Sequence, residues 1–214
     1  MISKLLIVSI LVNALEARRW LANSATALIY PQGITLYQTG DSQSAPGLFN
    51  TWLDAIDGSY CTYTYANETG NDPTIDPPST NQCGVYTPAN VISVSYGEEE
   101  SDLPAYYQIR QCNEFMKLGL QGVTIVFASG DSGAGPGCIG QNNNAFNPEY
   151  PACPYITTVG ATSLPVGGSP GDPELSWFPT VPMWESSGGF SNIFPIPSYQ
   201  EEAVSSSVHI VASS

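Results

Sequence analysis

The sequence predicts an α/β fold in which a parallel sheet is flanked by helices, and three observations carry that expectation. The run Val123–Ser129 is β-branched and aromatic and ends in Ser129-Gly130-Asp131-Ser132-Gly133, so it reads as a buried strand delivering one carboxylate to a glycine-lined loop. A similar run, Val91-Ile-Ser-Val-Ser-Tyr-Gly97, precedes it across a segment with helical spacing of apolar residues, from about Leu103 to Gly119. Tyr155-Ile-Thr-Thr-Val-Gly-Ala161 follows as another strand. Strand, helix, strand at this spacing is the crossover unit of a parallel sheet. In such sheets ligands bind beyond the carboxyl ends of the strands, where glycines let them approach the backbone.

The bulk numbers suit one domain, with room for part of a neighbour: 214 residues, 42% hydrophobic and 11% charged. Five Lys and Arg against nineteen Asp and Glu give a net charge of −14, which excludes nucleic acid as a partner because nothing neutralises a row of phosphates. The same balance fits an acidic milieu, where protonation of carboxylates relieves self-repulsion.

Taken in order, Lys4 and the apolar run Leu5–Leu15 read as the core of a secretory signal over residues 1–17, with cleavage after Ala14 or Ala17. The run is too short to span a bilayer, and the alternative is a buried strand or helix of the domain itself. Ile34–Gln38 reads as a strand and Leu48–Ile56 as a helix, while residues 57–89 lack a period and read as a long loop. Glu98–Asp102 is expected at the N-terminus of the next helix, where the dipole favours acids. Tyr107, Phe115 and Leu118 are its expected core positions, and Gly119 or Gly122 its stop. Beyond residue 164 the chain is rich in Pro, Gly and Ser, with a tight glycine loop at Ser187–Ser191 and an expected unstructured tail over residues 205–214. The five cysteines lack metal-type spacing; Cys61 with Cys83 and Cys138 with Cys153 are the expected bridges, leaving Cys112 as a buried thiol. Asn67-Glu68-Thr69 is a glycosylation sequon that agrees with export.

The only histidine is His209, in the tail, so a Ser-His-Asp triad is not expected. A hydrolase working in acid would use carboxylates instead, one as base and another kept neutral to donate a hydrogen bond. Asp131 is the candidate for the neutral donor, on the expectation that small residues and apolar walls around it raise its pKa; the alternative is an Asp that caps its own turn. Ser129 and Ser132 lack a base at a plausible spacing and are not expected to act as nucleophiles.

The glycine loop, the strand Val91–Gly97, Arg110-Gln-Cys-Asn-Glu-Phe-Met-Lys-Leu-Gly119, Phe146–Thr162, Ser187-Gly-Gly-Phe-Ser-Asn192 and Pro197-Ser-Tyr-Gln200 together resemble the sedolisins, the serine-carboxyl peptidases of subtilisin-like fold, in their fungal tripeptidyl-peptidase type. The resemblance runs over most of residues 28–203. It implies a subtilisin-like parallel sheet, incomplete at both ends, over residues 18–204. It further implies a secreted, acid-acting peptidase with Asp131 as the oxyanion-site aspartate. By the same resemblance Ser95, Tyr96 and Gly97, with Ser129 and Gly130, line the substrate cleft, the strand pairing with an extended peptide. The family's Glu and Asp, four apart on the helix before the segment like Ala27–Pro31, are expected near 17 and 21, where this chain has Ala17 and Leu21. The family's Gly-Thr-Ser segment does not occur in the chain, and its calcium site lies beyond it, so no cofactor is expected here. The resemblance therefore implies a peptide or protein substrate, no nucleic acid and no membrane span, with catalysis absent from this chain alone. It leaves oligomeric state open. A non-catalytic module that captures extended peptides is the second reading, and a structural or carbohydrate-binding secreted domain the third.

Overall fold

A computed structural model describes residues 5–9, 25–38, 48–62, 64–65, 68–69, 83–133, 148–177 and 184–212. Its centre is a five-stranded sheet of β1 (Leu5–Ser9), β2 (Ile34–Gln38), β5 (Val91–Val94), β7 (Thr124–Ala128) and β9 (Thr157–Val159), in the order β2-β1-β5-β7-β9. Every pairing is parallel, with Val91 against Thr124, Ile92 against Ile125 and Val126 against Thr157. The expected parallel sheet is therefore present, and β2 carries the predicted bounds. Three small antiparallel pairs surround it: β3 (Thr64–Tyr65) with β4 (Glu68–Thr69), β6 (Glu98–Glu99) with β8 (Glu149–Tyr150), and β10 (Thr162–Ser163) with β11 (Leu175–Ser176).

Residues 25–29 are helical (α1); α2 (Asn50–Ile56), α3 (Gly58–Thr62), α4 (Ala105–Leu120) and α5 (Glu201–Ala212) follow. On one sheet face Ile92, Val94, Ile125 and Phe127 are buried under Trp52 and Leu53 of α2 and Phe115 and Leu118 of α4. Phe49 sits among them, with ring centroids 5.1 Å from Phe127 and 6.1 Å from Phe115. Each such side chain stabilises the fold by about 1.5–3 kcal/mol through burial. The i, i+4, i+8, i+11 spacing of Tyr107, Gln111, Phe115 and Leu118 puts all four on the buried face of α4.

α4 starts two residues later than the sequence suggests, and the acidic run does not cap it. Glu98 and Glu99 instead pair with Glu149 and Tyr150, and Glu100–Asp102 form a 3-10 turn. Pro104 precedes the helix, and the buried Gln108 amide closes its start by donating to the carbonyls of Glu100 (2.7 Å) and Leu103 (2.8 Å). The buried Glu100 carboxylate accepts from Ser191 and from the Asn192 amide (2.8 Å), so this acid holds the glycine loop instead of a helix end.

Two other expectations change. Cys61–Cys83 forms as expected, but Cys112 is not a thiol: it bridges Cys153 with Cα atoms 5.7 Å apart. The reason is tertiary, since the buried face of α4 lies against the chain that leads into β9, within disulfide reach. Cys138 lies outside the described residues. The expected tail over 205–214 is largely helical, in α5: Glu201 and Glu202 occupy its first turn, where the dipole favours them, and Ser205 and Ser206 bond back to the Glu202 carbonyl at 2.9 Å. Leu5–Ser9, within the expected signal core, pairs as a strand between β2 and β5.

Candidate functional site: a cleft at the strand ends

β5 and β7 are neighbours, and the chain leaves both at the same edge of the sheet. Ser95, Tyr96 and Gly97 follow β5; Ser129, Gly130 and Asp131 follow β7. Between them opens a cleft of about 460 Å³ lined by Ser95, Tyr96, Gly97, Gly130, Asp131 and Glu149, among others. Five of the six residues singled out from the sequence thus meet on one cavity. Ser129 turns to a neighbouring cavity of about 360 Å³, which Glu149 also lines.

Two glycines are required by the geometry. A Cβ on Gly97 would stand 2.7 Å from the Tyr150 carbonyl oxygen, so the chain passes β8 only because the side chain is missing. Gly130 has φ +100°, a conformation that L side chains rarely adopt, and a Cβ there would overlap the Glu149 carboxyl group. Tyr96 donates to Glu98 Oε1 at 2.7 Å, and burial together with that bond pushes its hydroxyl up to about 12, so it remains a donor throughout the acid range.

Asp131 differs from its expectation. It lines the cleft but is exposed, and so is not enclosed by apolar walls. The desolvated acid is Glu149, which the sequence reading missed. Burial is the main cause that raises its carboxyl pKa; Ser187 lowers it by donating to Oε1 at 2.9 Å, and the charges of Asp131, Glu99 and Glu98 raise it again. The one sequence signal for Glu149 is an acid flanked by Pro148 and Pro151, ahead of β9. Among the described residues no cluster of His, Cys, Asp or Glu is placed to hold a metal ion, and no helix is long and apolar enough to cross a membrane.

Pseudomonas sedolisin, a serine-carboxyl proteinase, superposes with a TM-score of 0.54 over 94% of this chain and 61% of its own, at 19% identity. Aorsin of Aspergillus oryzae is 52% identical over 203 residues, and tripeptidyl-peptidase sed1 of Aspergillus fumigatus 45% identical over 202. These alignments cover 84% and 83% of this chain but only 31% and 30% of the relatives, so the chain spans about a third of their length. Tripeptidyl-peptidase 1 of the dog is 45% identical over 130 residues, 58% of this chain and 22% of the relative. No family model matches. The chain belongs, as a partial-length relative, to the sedolisin family of serine-carboxyl peptidases.

Proposed function

We propose that this chain is the peptide-capturing segment of a secreted, acid-acting peptidase of tripeptidyl-peptidase type, with Asp131 at the oxyanion site. The observation that carries the reading is the convergence of Ser95–Gly97 and Gly130–Asp131 on one cleft at the ends of adjacent parallel strands. In a full-length domain the Ser95–Gly97 edge would pair with an extended peptide, and Asp131 would lie beside the carbonyl oxygen on which negative charge develops. By the family resemblance the acid pair is expected near 17 and 21, where this chain has Ala17 and Leu21, and no Gly-Thr-Ser segment occurs in it, so this chain alone is read as binding peptide without hydrolysing it. Two disulfides and the Asn67 sequon support passage through an oxidising, extracellular route.

The test is the full chain in mildly acidic buffer with a fluorescent peptide bearing a free N-terminus, followed by both polarisation and product analysis. Binding without cleavage is expected, weakened about tenfold by Asp131→Ala, the equivalent of one hydrogen bond of about 1.5 kcal/mol. Cleavage that Asp131→Ala leaves untouched would sink both the site and the absence of turnover.

A further inference from the structure

The loop that carries Asp131 is held by a carboxyl group brought from another strand. Ser187 Oγ donates to Glu149 Oε1 at 2.9 Å and accepts the backbone N–H of Ser132 at 2.9 Å. A hydroxyl has one proton, so the two bonds fix its direction: a lone pair serves the peptide just after Asp131, and the proton goes to Glu149. Ser187 is only 8% exposed, so water is a poor substitute acceptor if Glu149 is removed. On the other side of Asp131, the Glu149 carboxyl lies against Gly130, in the space a Cβ would fill.

Backbone bonds lace the same loop to residues 185–188: Glu185 N–H to the Asp131 carbonyl (3.0 Å), Gly133 N–H to Glu185 (3.2 Å) and Ser187 N–H to Gly130 (3.1 Å). Those bonds set the path of the chain, whereas among the described residues the Glu149–Ser187 relay is a side-chain contact that bears on both sides of Asp131. β8 presents Glu149 by pairing with β6, which continues directly from Ser95–Gly97. One carboxyl group therefore ties the two walls of the cleft together.

We propose that Glu149 is the positioning residue of this cleft: through Ser187 it fixes the peptide between Asp131 and Ser132 and so aims the Asp131 carboxyl at a bound peptide. The proposal rests on the reading of the cleft as peptide-binding. The relay survives acid, because a protonated carboxyl keeps a carbonyl oxygen that accepts the Ser187 proton as the ionised form does. A glutamine amide keeps that acceptor too, which separates the relay from any effect of charge.

The experiment uses the full chain, the same fluorescent peptide and nitrogen-15 resonances of the backbone. Glu149→Ala and Ser187→Ala are each expected to weaken binding about fivefold, while Glu149→Gln stays within about twofold. Adding Glu149→Ala to Asp131→Ala is expected to cost nothing more, since a residue acting through Asp131 is silent without it. The Ser132 amide should shift and exchange faster in Glu149→Ala and Ser187→Ala but not in Glu149→Gln. Equal losses for Gln and Ala, or additive losses in the double variant, overturn the proposal. A wild-type chain that binds no peptide defeats the reading of the cleft, and the clamp is then judged on Ser132 alone: unchanged exchange in Glu149→Ala overturns it.

Discussion

Glu114 on α4 and Glu149 on β8 are both acids drawn out of water, and the company each keeps is opposite. Glu114 is 2% exposed and lies 3.5 Å from Arg110 and 3.6 Å from Lys117. Burial, then its hydrogen bond to Asp57 and that residue's charge, push its carboxyl up to about 7, against the pull of the two cations. Lys117 in turn bonds Asp57 and Ser59, and Arg110 stacks 4.2 Å over the Tyr60 ring, so the cluster cross-links α4 to the start of α3. Among the described residues the charges acting on Glu149 are Asp131, Glu99 and Glu98, all of one sign. A cluster with matched cations serves the fold. Carboxylates gathered without them work against it, and such an arrangement marks a site.

The largest effect should come from the packed side of that contrast. Phe115 is fully buried, with ring centroids 5.5 Å from Phe127 and 6.1 Å from Trp52. Phe115→Ala is expected to cost about 3–5 kcal/mol, a large share of the roughly 5–15 kcal/mol that holds a domain together. Urea unfolding measures it, and peptide affinity per folded molecule should not change. A loss below about 1 kcal/mol would mean that the aromatic block does not hold α2 and α4 to the sheet.

Next in size is the bridge that joins the two regions. Cys112 leaves the buried face of α4 to meet Cys153, which lines the cavity beside the cleft, 41 residues away. Cys112→Ser is expected to cost about 2–4 kcal/mol by releasing that loop in the unfolded chain. Peptide mapping without reduction should recover Cys112 joined to Cys153. Recovery of Cys138 joined to Cys153 would refute the pairing and restore the expectation from the sequence.

That bridge also shows where sequence reading stops. β2, β5 and β7 were legible because β-branched runs bounded by turn residues need no tertiary information. Tyr107, Phe115 and Leu118 were legible because the helical period alone places them together. Cys112 with Cys153 was not, because it depends on which side of α4 faces the chain entering β9. Asp131 and its neighbours on the cleft were found from strand ends and glycines, together with the family resemblance. Glu149 was missed because its place depends on a two-residue pairing of β8 with β6, too short to leave a period, and on a contact across Gly130 that no spacing encodes.

The smallest effect is the one that separates the two carboxyl clusters by pH. Glu114 has a folded pKa near 7 against an ordinary 4.5, so the folded chain binds more protons than the unfolded one between those values. Stability is then complete below about pH 4.5 and is lost as pH rises through 7, by up to about 3 kcal/mol. Asp57 runs the other way: despite burial, its bonds to Glu114, Lys117 and Ser59 hold it well below the carboxylate range, so its contribution is lost only in strong acid. The chain should therefore be most stable in mild acid. Glu114→Gln keeps a neutral hydrogen-bonding group beside Asp57 and should remove most of the decline in melting temperature toward neutral pH. A remaining slope of the same sign is expected from Glu149, whose carboxyl is also raised, and Glu149→Gln should flatten it without altering the Glu114 part. If Glu114→Gln leaves the whole slope in place, the matched cations by α4 hold Glu114 ionised, and the acid dependence belongs to the cleft.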